Sequence, residues 1–382
     1  MAAPDGPRRR PWARTPLLVL VAAVVAAGAA LALDRSAYVE GEGSSAADAA
    51  RAPAATCGPT RGPFRPGRWP GGCWRPYGRA SPFNQPLPAR PRLAADSGAI
   101  VERLLGLGGP QHLQIGTAGT PDDFAHPVAF SRSRDPRYRL RCRGRYGTCP
   151  LDGHTIRVPA RARPAAGDDA HLAVVDQRRR IEYDLWDVTS KPRRGGTLRF
   201  TYGGRTASGG KGLRAGATAA GFGLLAGAIR AGELERGRIR HALFMTVLCD
   251  AGRAVYPADD VGRPCSAIGR PDAGAPPMGT RFQLAMSRRE IAALRAPRWM
   301  TAILRAMARY GMFVGDTGGS SWGLQLESGA TYTSYGRPDP LVAFARRAGL
   351  PRHEGRWVLA LRDAVPWDRL RVIDPCVTAR RC

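Results

Sequence analysis

The stretch Glu182-Tyr183-Asp184-Leu185-Trp186 sets two carboxylates and an indole at alternate positions. On a strand, residues two apart share a face. Glu182, Asp184 and Trp186 then line one side, and Tyr183 and Leu185 face the core. Two carboxyls in unequal surroundings supply an acid and an ionised partner, which is what cleavage of a glycosidic bond requires. Trp186 adds a flat apolar surface for a pyranose face. The competing reading is a solvated strand face whose carboxylates answer nearby arginines, because short acidic strand motifs are common by chance.

Other residues offer supporting chemistry. His171, just after Asp168-Asp169, and His241 each open an apolar strand, and histidine is the usual general base near neutral pH. Arg281 follows Pro276-Pro277-Met278-Gly279, and Asp316 precedes Gly318-Gly319. A buried arginine can grip a carboxylate or sulfate of an acidic substrate; a structural ion pair is the alternative. The candidate catalytic residues are therefore Glu182, Asp184, His241 and His171, and the candidate substrate-binding residues are Trp186, Arg281 and Asp316. Tyr310 and Tyr335 have the chemistry of lyase acids, with nothing in the pattern to single them out. Ser320-Ser321 lacks a nucleophile-elbow setting. Dinucleotide and P-loop glycine patterns are absent, and no cofactor is expected.

These residues must be held by a scaffold, and its elements are partly legible. Ala95 to Leu107 reads as a short helix. Strand signals mark 154–158 and 171–176, and period-two alternation marks 180–186 and 197–202, with Gln177-Arg178-Arg179 as a hairpin turn. Ala215 to Arg230 is small and apolar and reads as a buried helix. Residues 233–236 continue helically to Gly237. Strands are expected at 241–247, 281–284 and 312–314. Ser287 caps a helix with Glu290 at the capping-box position, and a further helix runs from Trp299 to Tyr310. The fold expected is mainly β with helical insertions (α+β), an antiparallel, jelly-roll-like β-sandwich in one domain.

The N-terminus predicts the compartment. Arg8, Arg9, Arg10 and Arg14 precede an uncharged run from Thr15 to Leu33. A positive cluster before an apolar run marks a secretory signal or a signal anchor, with the remainder sent outward. Ala30-Leu31-Ala32 resembles a small-x-small cleavage site, so signal peptide and anchor both stay open over 1–33. Residues 34–56 are rich in Ala, Ser, Gly, Asp and Arg and read as a disordered tether. Residues 57–382 then form one extracytoplasmic globular domain, secreted or membrane-anchored.

Net charge is +27, carried by arginine except for Lys191 and Lys211. A basic exported domain attracts anionic polymers of the cell envelope. Export, and the lack of a helix-turn-helix, zinc finger or aromatic single-strand platform, argue against a specific nucleic-acid partner. The expected partners are a polysaccharide or anionic cell-wall polymer, and the membrane through the N-terminal segment.

Eight cysteines, Cys57, Cys73, Cys142, Cys149, Cys249, Cys265, Cys376 and Cys382, fall into four local pairs. An even count in an exported chain reads as disulfides, here 57–73, 142–149, 249–265 and 376–382. Their spacings do not suit a zinc site, and no metal is expected.

Two resemblances bear on function. Glu182-x-Asp184-x-x-Asp187 resembles, over six residues, the Glu-x-Asp-x-x-Glu motif of laminarinase-type β-jelly-roll glycoside hydrolases. The resemblance implies a nucleophile at Glu182 and an assisting carboxylate at Asp184; Asp187, one methylene shorter, stands where the family has its acid/base glutamate. More broadly, Ser81-Pro82-Phe83-Asn84, Pro86-Leu87-Pro88, the 171–176 and 182–186 strands, His241-Ala242-Leu243 and Pro277-Met278-Gly279-Thr280-Arg281 are similar to a set of secreted bacterial proteins of unestablished activity. That likeness covers most of residues 80–330 and implies one integral domain. The expected function is an exported carbohydrate-active enzyme, a glycoside hydrolase or polysaccharide lyase acting on envelope or environmental polysaccharide. The alternative is a non-catalytic, membrane-tethered envelope protein that binds anionic wall polymers.

Overall fold

Alternating apolar positions become strands through most of the chain. In order they are β1 (Leu113–Ile115), β2 (Val128–Ser131), β3 (Arg137–Cys142), β4 (Thr155–Arg157), β5 (Leu172–Asp176), β6 (Ile181–Ser190), β7 (Gly196–Ala207) and β8 (Leu243–Val247). Then come β9 (Arg281–Leu284), β10 (Met312–Thr317), β11 (Gly323–Leu324), β12 (Arg352–His353), β13 (Arg356–Leu359) and β14 (Leu370–Ile373). The helices are α1 (Ser97–Gly106), α2 (Ala231–Arg236), α3 (Arg288–Ala293), α4 (Arg298–Arg309), α5 (Ala330–Thr333) and α6 (Pro340–Arg347). The computed structural model describes residues 74–107, 113–115, 123–144, 146–319, 321–353, 355–361 and 365–376, with Gly67, Trp69 and Pro121. The expected signal segment 1–33, the tether 34–56, and Cys57, Cys73 and Cys382 lie outside the described residues. Among those described, no helix is long and apolar enough to cross a membrane.

A six-stranded sheet runs β2-β5-β6-β7-β3-β4, and a five-stranded sheet runs β11-β8-β10-β9-β14; β1-β13-β12 form a small third sheet. The α+β class stands, but the sheets are mixed rather than purely antiparallel. The pairs β2·β5, β3·β7 and β8·β10 are parallel. Parallel neighbours need a crossover rather than a hairpin; β2 reaches β5 through β3 and β4, β3 reaches β7 through β4, β5 and β6, and β8 reaches β10 through β9, α3 and α4.

Strand alternation sends side chains to two cores. Leu172 and Val174 of β5, Tyr183 and Leu185 of β6, and Leu198 and Phe200 of β7 bury together on one face of the larger sheet. Ala173 and Val175 point to its other face. There they join Val128 and Phe130 of β2 and Leu243, Met245, Phe282 and Met312 of the five-stranded sheet in the main core. Helix α4 adds Trp299, Met300, Ile303, Leu304 and Met307 at helical spacing. Ser287 accepts from the Glu290 N–H as an N-cap, completing the expected capping box of α3.

One expected helix is absent. Residues 215–230 form turns and isolated bridges threaded through the main core. Gly216, Gly221 and Gly227 take positive φ, which interrupts any helix. Gly223 lies so close to the core that an added Cβ would stand 2.0 Å from the Tyr77 hydroxyl oxygen and 3.0 Å from Glu182 Oε1. The segment's smallness therefore serves close backbone approach rather than helix packing.

Two expected disulfides, Cys142–Cys149 and Cys249–Cys265, are formed. Cys376 is also disulfide-bonded.

Candidate functional site

A cleft of about 920 Å³ opens where the N-terminal ends of β2 and β5 meet the C-terminal ends of β8 and β10. His126 enters just before β2, His171 and Asp169 just before β5, and Trp186 from β6. Tyr202 comes from β7, Thr246 from β8 and Asp316 from β10. The glycine-rich segment contributes its 216–221 turn, and the loop closed by Cys142–Cys149 contributes Tyr146.

The two histidines are held differently. His126 is buried, and its Nδ1 lies 2.7 Å from the Leu224 carbonyl oxygen. A carbonyl only accepts, so Nδ1 carries the proton and Nε2 is left as a base in the neutral ring. Burial pushes His126 down to about 3, helped by the proximity of His171. His171 is buried too, at a value pushed down to about 4 by burial, and its Nδ1 has no hydrogen-bond partner among the described residues.

Four carboxyls line the cleft, those of Asp169, Asp259, Asp260 and Asp316. Burial raises Asp316 to about 7, and the charge of Asp169 pushes the same way, against N–H donation from Thr317 and Ala219. Asp316 nonetheless stays half-buried, open on its cleft side. Asp169 accepts the Trp186 indole N–H at 3.0 Å. That bond turns Trp186 against the cleft, where Tyr146 meets it at 5.5 Å between ring centroids and Tyr202 meets Tyr146 at 6.2 Å. The arrangement offers a proton donor near neutral pH, a second carboxyl, neutral imidazoles and a wall of three aromatic rings.

Of the residues singled out from sequence, His171, Trp186 and Asp316 meet in this cleft. Glu182 and Asp184 do share a face, but they are fully buried behind it rather than presented to a ligand. Glu182 accepts from the Tyr77 hydroxyl at 3.0 Å and the Leu225 N–H at 3.3 Å; Asp184 accepts from the Leu224 N–H at 3.2 Å. Burial raises both carboxyls, Asp184 most strongly, and the two are hydrogen-bonding neighbours. Glu182 Oε2 and Asp184 Oδ1 find no other donor, and a proton held between them satisfies both. Their work is to hold the 223–225 backbone, which in turn holds His126.

Asp187 takes φ +51° and accepts from the Thr201 hydroxyl. The third position of the laminarinase-type pattern is therefore not presented to the cleft, which Asp187 does not line. His241 lies elsewhere. Its Nε2 contacts Glu233 at 3.1 Å, and Glu233 pairs with Arg230 at 2.6 Å. Burial alone would raise the Glu233 carboxyl, but Arg230 and His241 hold it well below the usual carboxylate range. Arg281 is also committed away from the cleft. It donates to the Tyr310 and Gln85 carbonyls at 2.8 Å and stacks over Phe313 at 4.7 Å. Neither residue lines the cleft, so the structure does not bring His241 and Arg281 together with His171, Trp186 and Asp316.

His126 was not singled out, although Ala125-His126-Pro127 leads into the apolar Val128-Ala129-Phe130, the same pattern that marked His171. Tyr146 and Tyr202 carry no sequence signal of their own. Among the described residues, no cluster of three or more His, Cys, Asp or Glu is arranged to hold a metal ion. Compared with known proteins, the chain matches no family model, no curated protein and no solved structure.

Proposed function

We propose that the chain is an exported glycoside hydrolase acting on an envelope or environmental polysaccharide, with the cleft as its active site. The observation that carries the reading is Asp316. Its carboxyl is raised to about 7 beside Asp169, under an aromatic wall built from Trp186, Tyr146 and Tyr202. A carboxylic acid that stays protonated near neutral pH protonates a leaving glycosidic oxygen, and a second carboxyl stabilises the oxocarbenium-like charge or activates water. The aromatic rings stack on sugar faces. Hydrolysis is put ahead of lyase elimination because the cleft brings carboxyls and neutral imidazoles together; Arg214 and Arg263 also line it, whereas Arg281, the arginine expected to grip a carboxylate or sulfate, is held elsewhere. A jelly-roll-like sandwich of the two larger sheets belongs to this reading, and their shared core supports it.

The test is release of reducing ends from a panel of neutral and acidic glycans by the wild type and by Asp316→Asn and Trp186→Phe. Wild-type cleavage that Asp316→Asn abolishes supports the reading. Trp186→Phe keeps an aromatic face but loses the bond to Asp169, and is expected to raise KM more than it lowers kcat. Cleavage equal in wild type and Asp316→Asn would exclude the site.

The second reading is a non-catalytic, membrane-tethered envelope protein that binds anionic wall polymer. The net charge of +27 favours it.

A further inference from the structure

A second groove, of about 720 Å³, lies between α3, α4, β9, β14 and the 237–240 turn. Arg238, Arg240, Arg288, Arg305, Arg309 and Arg371 line it, and no aspartate or glutamate does. Some surface arginines elsewhere are answered, Arg92 by Asp374, Arg141 by Asp152, Arg253 by Asp96, Arg347 by Glu235 and Arg369 by Glu290; what sets the groove apart is that six arginines crowd one concavity. Among the described residues, none of the six groove arginines makes such a pair. Five are exposed; Arg371 is half-buried and donates to Gln283 Oε1 at 2.9 Å.

This crowding is unfavourable in the free protein. Arg305 and Arg309 stand one turn apart on α4, a spacing at which like charges repel. A chain carrying regularly spaced anions reverses the sign, because guanidinium groups bind carboxylate and phosphate bidentately. The catalytic cleft has the opposite balance, with Asp169, Asp259, Asp260 and Asp316 against Arg214 and Arg263. A polyanion is drawn to the groove and away from the cleft.

We propose that this groove is a second, non-catalytic site that binds an anionic glycan strand through Arg238, Arg240, Arg288, Arg305 and Arg309. The groove is concave, which suits a strand better than a flat membrane. Ile239, Leu284 and Tyr310 give it an apolar floor for sugar faces. The choice of a glycan over other polyanions rests on the carbohydrate-active reading; the preference for a polyanion stands without it. Binding there holds the protein on charged envelope material while the cleft works on a less charged segment.

Binding is measured at physiological ionic strength with an oligogalacturonate and a glycerol-phosphate oligomer. Neutral dextran, single-stranded DNA and phosphatidylglycerol vesicles are the comparison probes. The variant Arg238→Gln/Arg305→Gln/Arg309→Gln is set against Arg178→Gln/Arg193→Gln/Arg194→Gln, which removes the same charge from exposed positions outside the groove. The groove variant is expected to weaken binding of at least one anionic oligomer roughly tenfold or more, and the control by less than about twofold. Equal weakening by both variants, or by neither, overturns the proposal in favour of diffuse surface charge. Tighter binding of DNA or vesicles than of either glycan overturns the choice of partner. Loss of binding in the groove variant, with no glycan cleaved by any form, keeps the groove and rejects the hydrolase reading instead.

Discussion

His126 and His171 meet edge to face in the cleft wall, with ring centroids 4.6 Å apart. The parallel register of β2 and β5 brings them together. Val128 pairs with Ala173, so the residues two positions earlier on each strand are neighbours. Two imidazoles this close cannot both be charged without mutual repulsion, and burial disfavours charge on either one.

Both rings are therefore expected to stay neutral well below the ordinary histidine value of 6.5, His171 until about 4. Imidazole carbon shifts followed by NMR from pH 8 downward should hold at the neutral position for these two residues to about pH 5. A midpoint near 6.5 for either would reject the enclosed pair.

If Asp316 is the general acid of the proposed hydrolase, it sets the alkaline limb. A general acid must be protonated, so kcat/KM on the cleaved glycan should fall as pH rises through about 7. Asp316→Asn cannot donate a proton, and its kcat should drop by about a hundredfold or more with little change in thermal midpoint. A limb that stayed in place with a fully active Asp316→Asn would move the acid elsewhere.

Strand chemistry was the legible part of the sequence. The alternation at 180–186 and the hairpin at 177–179 gave β5, β6 and their antiparallel pairing, and it correctly turned Tyr183 and Leu185 into a core. What it could not give was depth. Period two says that Glu182 and Asp184 share a face, not whether that face meets water or a second layer. The covering layer is the 215–230 segment, and its small apolar composition suits a buried helix equally well. Three glycines at positive φ decide the matter, and their backbone angles are set by tertiary contacts. The cleft itself joins residues from 124 to 325, so its assembly depends on a parallel register with no local signature.

The buried pair predicts an unusual pH dependence of stability. Burial raises Glu182 and Asp184 above their ordinary values of 4.5 and 3.8. Over the range between unfolded and folded values, the native state binds more protons than the unfolded chain. Their contribution is therefore full below the ordinary carboxyl values and is lost as pH rises through the raised ones. Glu182→Gln keeps an acceptor for Tyr77 and Leu225 and donates to Asp184 without a charge. The thermal midpoint of this variant should fall less than that of wild type as pH rises from 5 to 8. Glu182→Ala strands the Leu225 N–H and Tyr77 hydroxyl and leaves a void, and should cost about 2–4 kcal/mol by chemical denaturation. Parallel wild-type and Glu182→Gln profiles would mean that no proton is held there.

On the proposed hydrolase reading, the Cys142–Cys149 bridge links stability to substrate affinity. It closes a short loop that carries Tyr146, whose side chain stays largely exposed while its ring leans on Trp186. An exposed aromatic at the mouth of a cleft is placed to stack on a ligand, and the bridge limits the arc over which it can swing. Chain entropy for so short a loop sets the bridge's worth at about 2–3 kcal/mol. Replacing both cysteines by serine should thus lower stability by about that amount, well short of unfolding. The more specific consequence is kinetic. The proposed acid, Asp316, sits on β10 and the two histidines before β2 and β5, so freeing the loop should leave kcat nearly intact. KM should rise severalfold, and Tyr146→Ala in the bridged protein should raise it to a similar degree. Combining the two changes should add little, because both remove the same stacked ring. Additive effects, or a fall in kcat with KM unchanged, would show that the loop acts on the catalytic groups rather than on the ligand.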